Sequence, residues 1–155
     1  VVVLDEAAQA GKLDCLSPLL TKGRSKGVAV VLGFQDIDGF REVYGKGADE
    51  LVGQCGTKAV LRAESPGTAE WASRLVGEAE GWERDLTTGP GGDSTAHRRV
   101  KREAALASEF LSLPPATRGG GVHGYFAAPE VGAFRRAVSP QAIARDLAPK
   151  GAEPD

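Results

Sequence analysis

The apolar positions of the chain fall into short continuous runs separated by stretches with helical spacing. Val1–Leu4 is a run of four apolar residues, and Val28–Phe34 is a second, longer run. Between them, leucines recur every three or four residues from Leu13 to Leu20. Runs of this length are typical of strands buried in a parallel sheet, and the leucine spacing is typical of an amphipathic helix. The first part of the chain is therefore predicted to form a strand, a helix and a second strand.

The same alternation continues further along the chain. The pattern predicts short helices near 37–44 and 48–52, a third strand over 57–62, and a helix that opens at Ser65 with a proline in its first turn. Strands and helices that alternate with short connections are typical of an α/β fold with a mainly parallel sheet and helices on its faces.

The second half of the chain differs from the first in composition and in the elements that it predicts. Residues 88–95 are rich in glycine and polar residues and are predicted to form a flexible loop, followed by a basic cluster at 98–102. Two further apolar runs, 122–127 and 133–138, flank a turn that contains proline and glycine. They predict an antiparallel hairpin at one edge of the sheet.

Polar side chains follow the first two predicted strands at their carboxyl ends. Asp5 and Glu6 come directly after the first strand, and Gln35 follows the second. In open α/β sheets this edge is where ligands bind. An apolar strand followed by Asp-Glu is the Walker B pattern of nucleoside triphosphatases, whose Asp helps to hold Mg²⁺ and whose Glu polarises the attacking water. A core strand that runs into an acidic turn has the same pattern, so the motif alone leaves both interpretations open.

Composition narrows the class of protein. The chain has 155 residues, 41% hydrophobic and 26% charged, and a net charge of −2, which fits one globular domain and excludes a generally basic nucleic-acid binder. Cys15 and Cys55 form no CxxC motif and are expected to be reduced thiols, and the two histidines have no neighbouring cysteine with which to form a zinc site. No apolar run reaches membrane-spanning length. The absence of any methionine predicts that the chain is a piece of a longer protein.

Several segments, taken together in their order and spacing, carry a family resemblance. They are Val-Val-Leu-Asp-Glu (2–6), Leu-Thr-Lys-Gly-Arg-Ser-Lys-Gly-Val (20–28), Val-Leu-Gly-Phe-Gln-Asp (31–36), Cys-Gly-Thr-Lys-Ala-Val-Leu-Arg (55–62), and the later stretches 109–115, 124–126 and 131–135. This set resembles the motor domain of type IV secretion coupling proteins, the TraD/TraG class of conjugative ATPases. The resemblance covers about residues 1–145 and implies the C-terminal part of a RecA-like α/β/α sandwich, followed by a flexible tail over 146–155.

The resemblance implies roles for four residues and a requirement for ATP and Mg²⁺. Asp5 matches the carboxylate at the Mg²⁺ site, and Glu6 matches the catalytic acid that positions water. Gln35 matches a polar residue that senses the γ-phosphate. Arg24 matches an arginine finger, which reaches the nucleotide of a neighbouring subunit and stabilises charge on the transferring phosphoryl group.

The same resemblance implies partners and a location for the parent protein. It is expected to form a homo-hexamer on the cytoplasmic face of the bacterial inner membrane, to move single-stranded DNA with a relaxase or an effector protein, and to contact secretion-channel components. Membrane attachment would come only from N-terminal segments that this chain lacks, and the chain itself is expected to be soluble.

One departure from the family pattern limits what the chain is expected to do alone. The Walker A loop is absent, because Gly23–Gly27 has the wrong spacing and follows a helix rather than a strand. Alone, the chain is therefore expected to hydrolyse little or no ATP. Two alternatives remain open from the sequence: a non-catalytic module that docks substrates, and a DNA translocase of the FtsK or HerA type. A Walker A lysine upstream in the parent gene would favour the motor over the docking module.

Overall fold

The computed structural model describes residues 1–89, 92–117 and 119–147. The helices are α1 (Leu16–Lys22), α2 (Ile37–Tyr44), α3 (Ala48–Gln54), α4 (Pro66–Val76), α5 (Ala107–Leu111) and α6 (Pro140–Leu147), with short 3₁₀ turns at Arg24–Lys26 and Gly45–Gly47. The strands are β1 (Val2–Leu4), β2 (Val30–Leu32), β3 (Lys58–Val60), β4 (Glu78–Gly89), β5 (Gly92–Glu103), β6 (Val122–Ala128) and β7 (Gly132–Val138).

Among the described residues, the strands form three separate sheets. β1 and β2 pair in parallel, with Val2 opposite Val30 and Leu4 opposite Leu32. β3, β6 and β7 form an antiparallel sheet in that order, and β4 and β5 form a two-stranded antiparallel ribbon. The prediction of a mainly parallel sheet is therefore wrong for the described residues, where the parallel ladder has two strands. The parallel sheet stops at two strands because β3 does not pair with β2. One edge of β3 pairs with β6, and a cleft separates its other edge from β2.

Sequence signals at the helix ends explain where α2 and α4 begin. Asp36 has an extended backbone, and its carboxylate accepts a hydrogen bond from the Gly39 N–H at 2.7 Å, which caps α2. Ser65 caps α4 in the same way by accepting from the Thr68 N–H at 3.2 Å, and Pro66 occupies the first helical position. Each helix therefore starts after a short connection, of four residues between β2 and α2 and of five between β3 and α4.

Helices α1 to α5 contribute to one hydrophobic core on one face of the strands. Leu4, Leu32 and Val60 point to this side and pack against a core whose largest fully buried side chains are Phe40, Phe110, Leu16, Ile37 and Leu113. On the opposite side of the same strands, Val3 and Val31 remain 61% and 54% exposed. The described residues thus supply a sheet layer with a helical layer on one face only.

Most predicted elements appear in the structure at the expected places. The hairpin predicted from the two late apolar runs is confirmed as β6 and β7. The predicted loop over 88–95 is wrong in part, because β4 continues to Gly89 and β5 begins at Gly92; residues 90 and 91 lie outside the described part. Of the tail predicted over 146–155, residues 146 and 147 belong to α6 instead, and the part from residue 148 onward also lies outside the described residues. Across the described residues, no helix is long and apolar enough to cross a membrane.

The ribbon leaves the body of the protein and returns to it at one point. The N–H of Ala104, just after β5, donates to the carbonyl of Gly77, just before β4, at 2.9 Å. Beside it, the Ser73 hydroxyl of α4 donates to the Ala105 carbonyl at 2.6 Å. These two bonds join the end of α4 to the segment that leads into α5. The two ends of the ribbon are therefore held together by residues outside it.

Candidate functional site

The carboxyl ends of β1 and β2 are tied together by the backbone of one residue. The Gly33 N–H donates to the Leu4 carbonyl at 2.7 Å, and the Gly33 carbonyl accepts from the Ala7 N–H at 2.9 Å. Asp5 and Glu6 lie between these two bonds, so the turn that carries both carboxylates is held against the end of β2. The parallel pairing that the sequence predicted thus brings Asp5 and Glu6 beside the carboxyl end of β2.

Gly33 also packs against the backbone of Asp5. A Cβ at position 33 would lie 2.6 Å from the Asp5 carbonyl oxygen and 3.3 Å from its carbonyl carbon. Contacts that short do not occur between a real Cβ and a backbone atom, so any larger residue must push the turn away. Glycine is required here by close approach of two backbones rather than by an unusual φ angle.

A cleft of about 1010 Å³ opens beside this turn, between β2 and β3. Its lining includes three of the four predicted site residues, Asp5, Glu6 and Gln35. On the other wall, the lining consists of the end of β3 and the segment that leads into α4. The structure therefore collects the polar ends of three strands around one space, which is the geometry that open α/β sheets use to bind ligands.

The helix starts of α2 and α4 meet at the floor of the cleft through Thr68. Its buried hydroxyl oxygen accepts a hydrogen bond from the Ile37 N–H at 3.4 Å and lies 3.0 Å from the Ser65 hydroxyl oxygen. Both helices thus direct their amino ends, where backbone N–H groups and the helix dipole favour anions, toward the same space. The Ser65-Pro66 pair marked a helix start in the sequence but not this link between two helices.

An aromatic cluster supports the backbone just before Gln35. The ring of Phe34 stacks on Phe40 with centroids 4.6 Å apart and contacts Trp71 at 5.8 Å. The Trp71 indole N–H in turn donates to Asp49 at 3.0 Å, and Arg41 pairs with the same carboxylate at 2.9 Å. Burial raises the pKa of Asp49, but these two donors outweigh it and leave that pKa below its usual value. The position of Gln35 is therefore set by packing between α2 and α4.

The donor set at the cleft fits a magnesium ion bound together with phosphates. Asp5 is exposed and Glu6 is half-buried, so both present carboxylate oxygens, the ligands that Mg²⁺ prefers. No group of three or more His, Cys, Asp or Glu side chains within the described ranges is arranged to hold a metal by itself. Mg²⁺ in nucleotide sites usually takes one or two protein carboxylates and completes its shell with phosphate oxygens and water, so this small donor set fits it.

Arg24 is the one predicted site residue that the structure does not bring to the cleft. It is exposed and lies in the 3₁₀ turn after α1, where the Val28 N–H donates to the Gly23 carbonyl at 3.0 Å. This turn precedes β2 and so lies toward the amino end of that strand, whereas the cleft is at the carboxyl end. Within one chain, Arg24 is on the wrong edge of the sheet to reach Glu6, and its role stays a prediction about a neighbouring subunit.

The basic cluster at 98–102 lies in the ribbon, away from the cleft. Arg98 and Arg102 both form ion pairs with Glu83 of β4, and Arg99 pairs with Glu80. These carboxylates compensate the arginines across the ribbon. The geometry favours the interpretation of the cluster as a solvated face over a phosphate-binding surface.

Comparison with known proteins assigns the chain to a family. Residues 1–115 match the family described as the TraM recognition site of TraD and TraG. The chain therefore belongs to the coupling proteins of type IV secretion systems. Within that class, it belongs to the TraD/TraG family, as the resemblance in its sequence predicted. No curated protein sequence matches it.

Solved structures agree with this assignment. The unbound bacterial conjugative coupling protein TrwBdeltaN70 is 28% identical over 88% of this chain, with a TM-score of 0.75. The plasmid coupling protein TrwB has been solved with ADP and Mg²⁺ (26% identity, 88% of this chain, TM-score 0.67) and with a non-hydrolysable ATP analogue (27%, 88%, 0.68). This chain covers 31%, 30% and 29% of those three chains and so spans about a third of their length.

Proposed function

We propose that this chain forms the hydrolytic part of an ATP-driven motor that delivers substrates to a type IV secretion channel. The observation that carries the proposal is the position of Asp5, Glu6 and Gln35 around one cleft, at the carboxyl ends of two paired parallel strands. Membership of the coupling-protein family and the nucleotide complexes of TrwB support it.

The three side chains have distinct roles in the proposed reaction. Asp5 helps to hold Mg²⁺, which when bound neutralises charge on the phosphates. The Glu6 carboxylate accepts a hydrogen bond from the attacking water and orients it in line with the γ-phosphate. The Gln35 amide both donates and accepts, so it contacts a phosphate oxygen and a water together and reports whether the γ-phosphate is present.

The cleft also has a place for the phosphate-binding loop that this chain lacks. β2 and β3 each have a strand partner on one side only among the described residues, and the edges that they turn toward the cleft are unpaired. A strand from another part of the parent protein pairs with both edges and carries a glycine-rich loop to the carboxyl end, next to Glu6 and Gln35. Its backbone N–H groups then hold the phosphates.

The proposed motor works as a ring of identical subunits on the cytoplasmic face of the bacterial inner membrane. Arg24 reaches the nucleotide of the adjacent subunit, which explains why it lies away from the cleft of its own chain. The ring moves single-stranded DNA with its relaxase, or an effector protein, toward the channel. A relaxosome protein of the TraM type is a further partner, because the matching family is described by its recognition of TraM.

The experiment that tests the proposal is a matched pair of substitutions in the full-length parent. Glu6→Gln should abolish DNA-stimulated ATP hydrolysis while leaving nucleotide affinity within about twofold of wild type. Glu42→Gln, which removes an exposed carboxylate from α2 outside the cleft, should change neither quantity. Hydrolysis by Glu6→Gln at the wild-type rate would contradict the proposal.

One alternative is favoured by the description of the matching family. A domain that recognises a relaxosome protein can act as a docking module without turning over nucleotide. The two functions are separated by the parent gene: a motor requires an upstream Walker A lysine, and a docking module does not.

A further inference from the structure

Arg62 is the one basic side chain among the described residues that line the cleft. The carboxylates around it belong to Asp5, Glu6, Asp36, Asp38 and Glu64. Arg62 lies two residues after β3 ends at Val60, and therefore on the wall of the cleft opposite Gln35. A strongly acidic cleft repels a nucleotide unless cations balance it, which makes the single guanidinium important for the charge of the site.

The backbone around Arg62 is well anchored. The neighbouring Ala63 is buried, with 4% of its surface exposed, and its N–H donates to the Phe110 carbonyl at 3.2 Å. On the other side, Leu61 points outward and is 47% exposed. The position of Arg62 at the mouth of the cleft is thus determined by the attachment of its neighbours to the core.

The side chain of Arg62 differs in its partners from four other arginines of the described residues. Arg41, Arg98, Arg99 and Arg102 each form an ion pair, whereas Arg62 pairs with no carboxylate of the described residues. Its exposed guanidinium therefore keeps all of its N–H donors available at the entrance to the cleft. The amino end of α4, which also favours anions, begins only a few residues later at Pro66.

We propose that Arg62 binds the phosphate chain of a nucleoside triphosphate in the same subunit. This inference rests on the function proposed above and adds a binding residue that neither Walker motif contains. A planar guanidinium with several donors matches two phosphate oxygens at once, which ammonium groups do not. Arg62 then acts within the subunit, from the β3 wall, and Arg24 acts from the neighbouring subunit.

The test uses the full-length parent and fluorescent N-methylanthraniloyl ADP with Mg²⁺ as the probe. Arg62→Gln is expected to weaken binding by about 10- to 100-fold, the loss typical of one charged hydrogen-bonded contact. Arg62→Lys keeps the charge but loses the planar set of guanidinium donors. Its affinity for the probe should lie between those of wild type and Arg62→Gln. Arg136→Gln removes an exposed arginine from β7, away from the cleft, and should bind like wild type.

A second readout separates phosphate binding from a general loss of structure. Adenosine, which has no phosphate, should compete with the probe equally well in wild type and Arg62→Gln, and the melting temperature should not change. Unchanged affinity for the probe, or an equal loss of affinity for adenosine, would overturn the inference. If Arg62→Gln binds the probe normally while Glu6→Gln hydrolyses no ATP, this inference is wrong and the proposed motor function is retained. A parent protein that binds no nucleotide would overturn both.

Discussion

Gly33 and Asp5 are in backbone contact, and no side chain fits between them. A Cβ on Gly33 would lie 2.6 Å from the carbonyl oxygen of Asp5. Because the same glycine bonds to Leu4 and Ala7 on either side of the acids, it determines where the two carboxylates stand relative to β2. The geometry of the proposed hydrolytic site thus depends on a residue that has no side chain of its own.

We expect Gly33→Ala to displace the turn that carries Asp5 and Glu6. The displacement should lower the free energy of unfolding by about 1–3 kcal/mol, the cost typical of overpacking, and should reduce ATP hydrolysis by the parent. The control is Gly53→Ala in α3, where a Cβ meets nothing within 4 Å. That variant should stabilise the protein by about 0.5–1 kcal/mol, because alanine favours the helix. Urea titrations measure both, and equal stabilities of the two variants would refute the steric argument.

Thr68 should be required for stability because it links α2 to α4. Thr68→Val keeps the shape of the side chain but leaves the buried Ile37 N–H without its acceptor, so we expect a loss of about 1–3 kcal/mol. The matched substitution is Thr21→Val, at an exposed hydroxyl that bonds only within its own helix, and it should change stability by less than about 0.5 kcal/mol. Chemical denaturation distinguishes the two, and a Thr68→Val variant as stable as wild type would rule out the link.

Glu109 should make part of the stability depend on pH. Its carboxylate accepts hydrogen bonds from the Leu106 N–H at 2.8 Å and the Tyr125 hydroxyl at 2.7 Å, and these donors hold the pKa of Glu109 below its ordinary value of 4.5. Burial and the same bond raise the pKa of Tyr125. Because the unfolded state takes up the proton first as the pH falls, the contribution is complete above about pH 4.5 and is lost as the pH falls through the lowered pKa of the folded state.

The measurement is the urea midpoint between pH 7 and pH 3 for wild type and for Glu109→Gln. Wild type should lose more stability over this range than the variant does. Glu130→Gln, at an exposed position in the turn between β6 and β7, should follow the wild-type curve. Parallel curves for wild type and Glu109→Gln would show that the bonds to Glu109 contribute nothing.

Arg24 should act across a subunit boundary. When parent subunits with Arg24→Ala are mixed with subunits that lack the Walker A lysine, some interfaces combine an intact arginine with an intact nucleotide site, and part of the ATPase activity should return. Each variant alone should be inactive, and Lys22→Ala, a change at a neighbouring exposed cation, should remain active alone. No recovery at any mixing ratio would contradict a role in a neighbouring subunit.

The sequence predicted the local elements well because their signals are local. Apolar runs marked β1 and β2, and the Ser65-Pro66 pair marked the start of α4. The order of the motifs identified the family, and the pairing of β1 with β2 followed from their continuous apolar runs. The positions of Asp5, Glu6 and Gln35 at one edge required only the rule that parallel strands end on the same side.

The sequence did not predict features that depend on contacts between distant residues. β3 pairs with β6, more than 60 residues later, and nothing in the composition of β3 specifies that partner over β2. Residues 92–95 are rich in turn-forming types, yet they pair with β4, because cross-strand pairing overrides weak local preferences. The sequence also did not predict the steric requirement at Gly33. A glycine at the end of an apolar run indicates that another backbone approaches closely, but it does not identify which residue does so.

The closed base of the ribbon has a consequence for how related chains diverge. The Ala104 N–H bonds to the Gly77 carbonyl, so the two ends of the interval between them are held together without the ribbon. We therefore expect insertions and deletions in this interval to alter neither the register of β3 nor the start of α4. Replacement of residues 78–103 by a short Gly-Ser turn should therefore give a chain that folds with the same melting behaviour. We expect related chains to differ in length and charge over this interval while the residues around the cleft keep their positions.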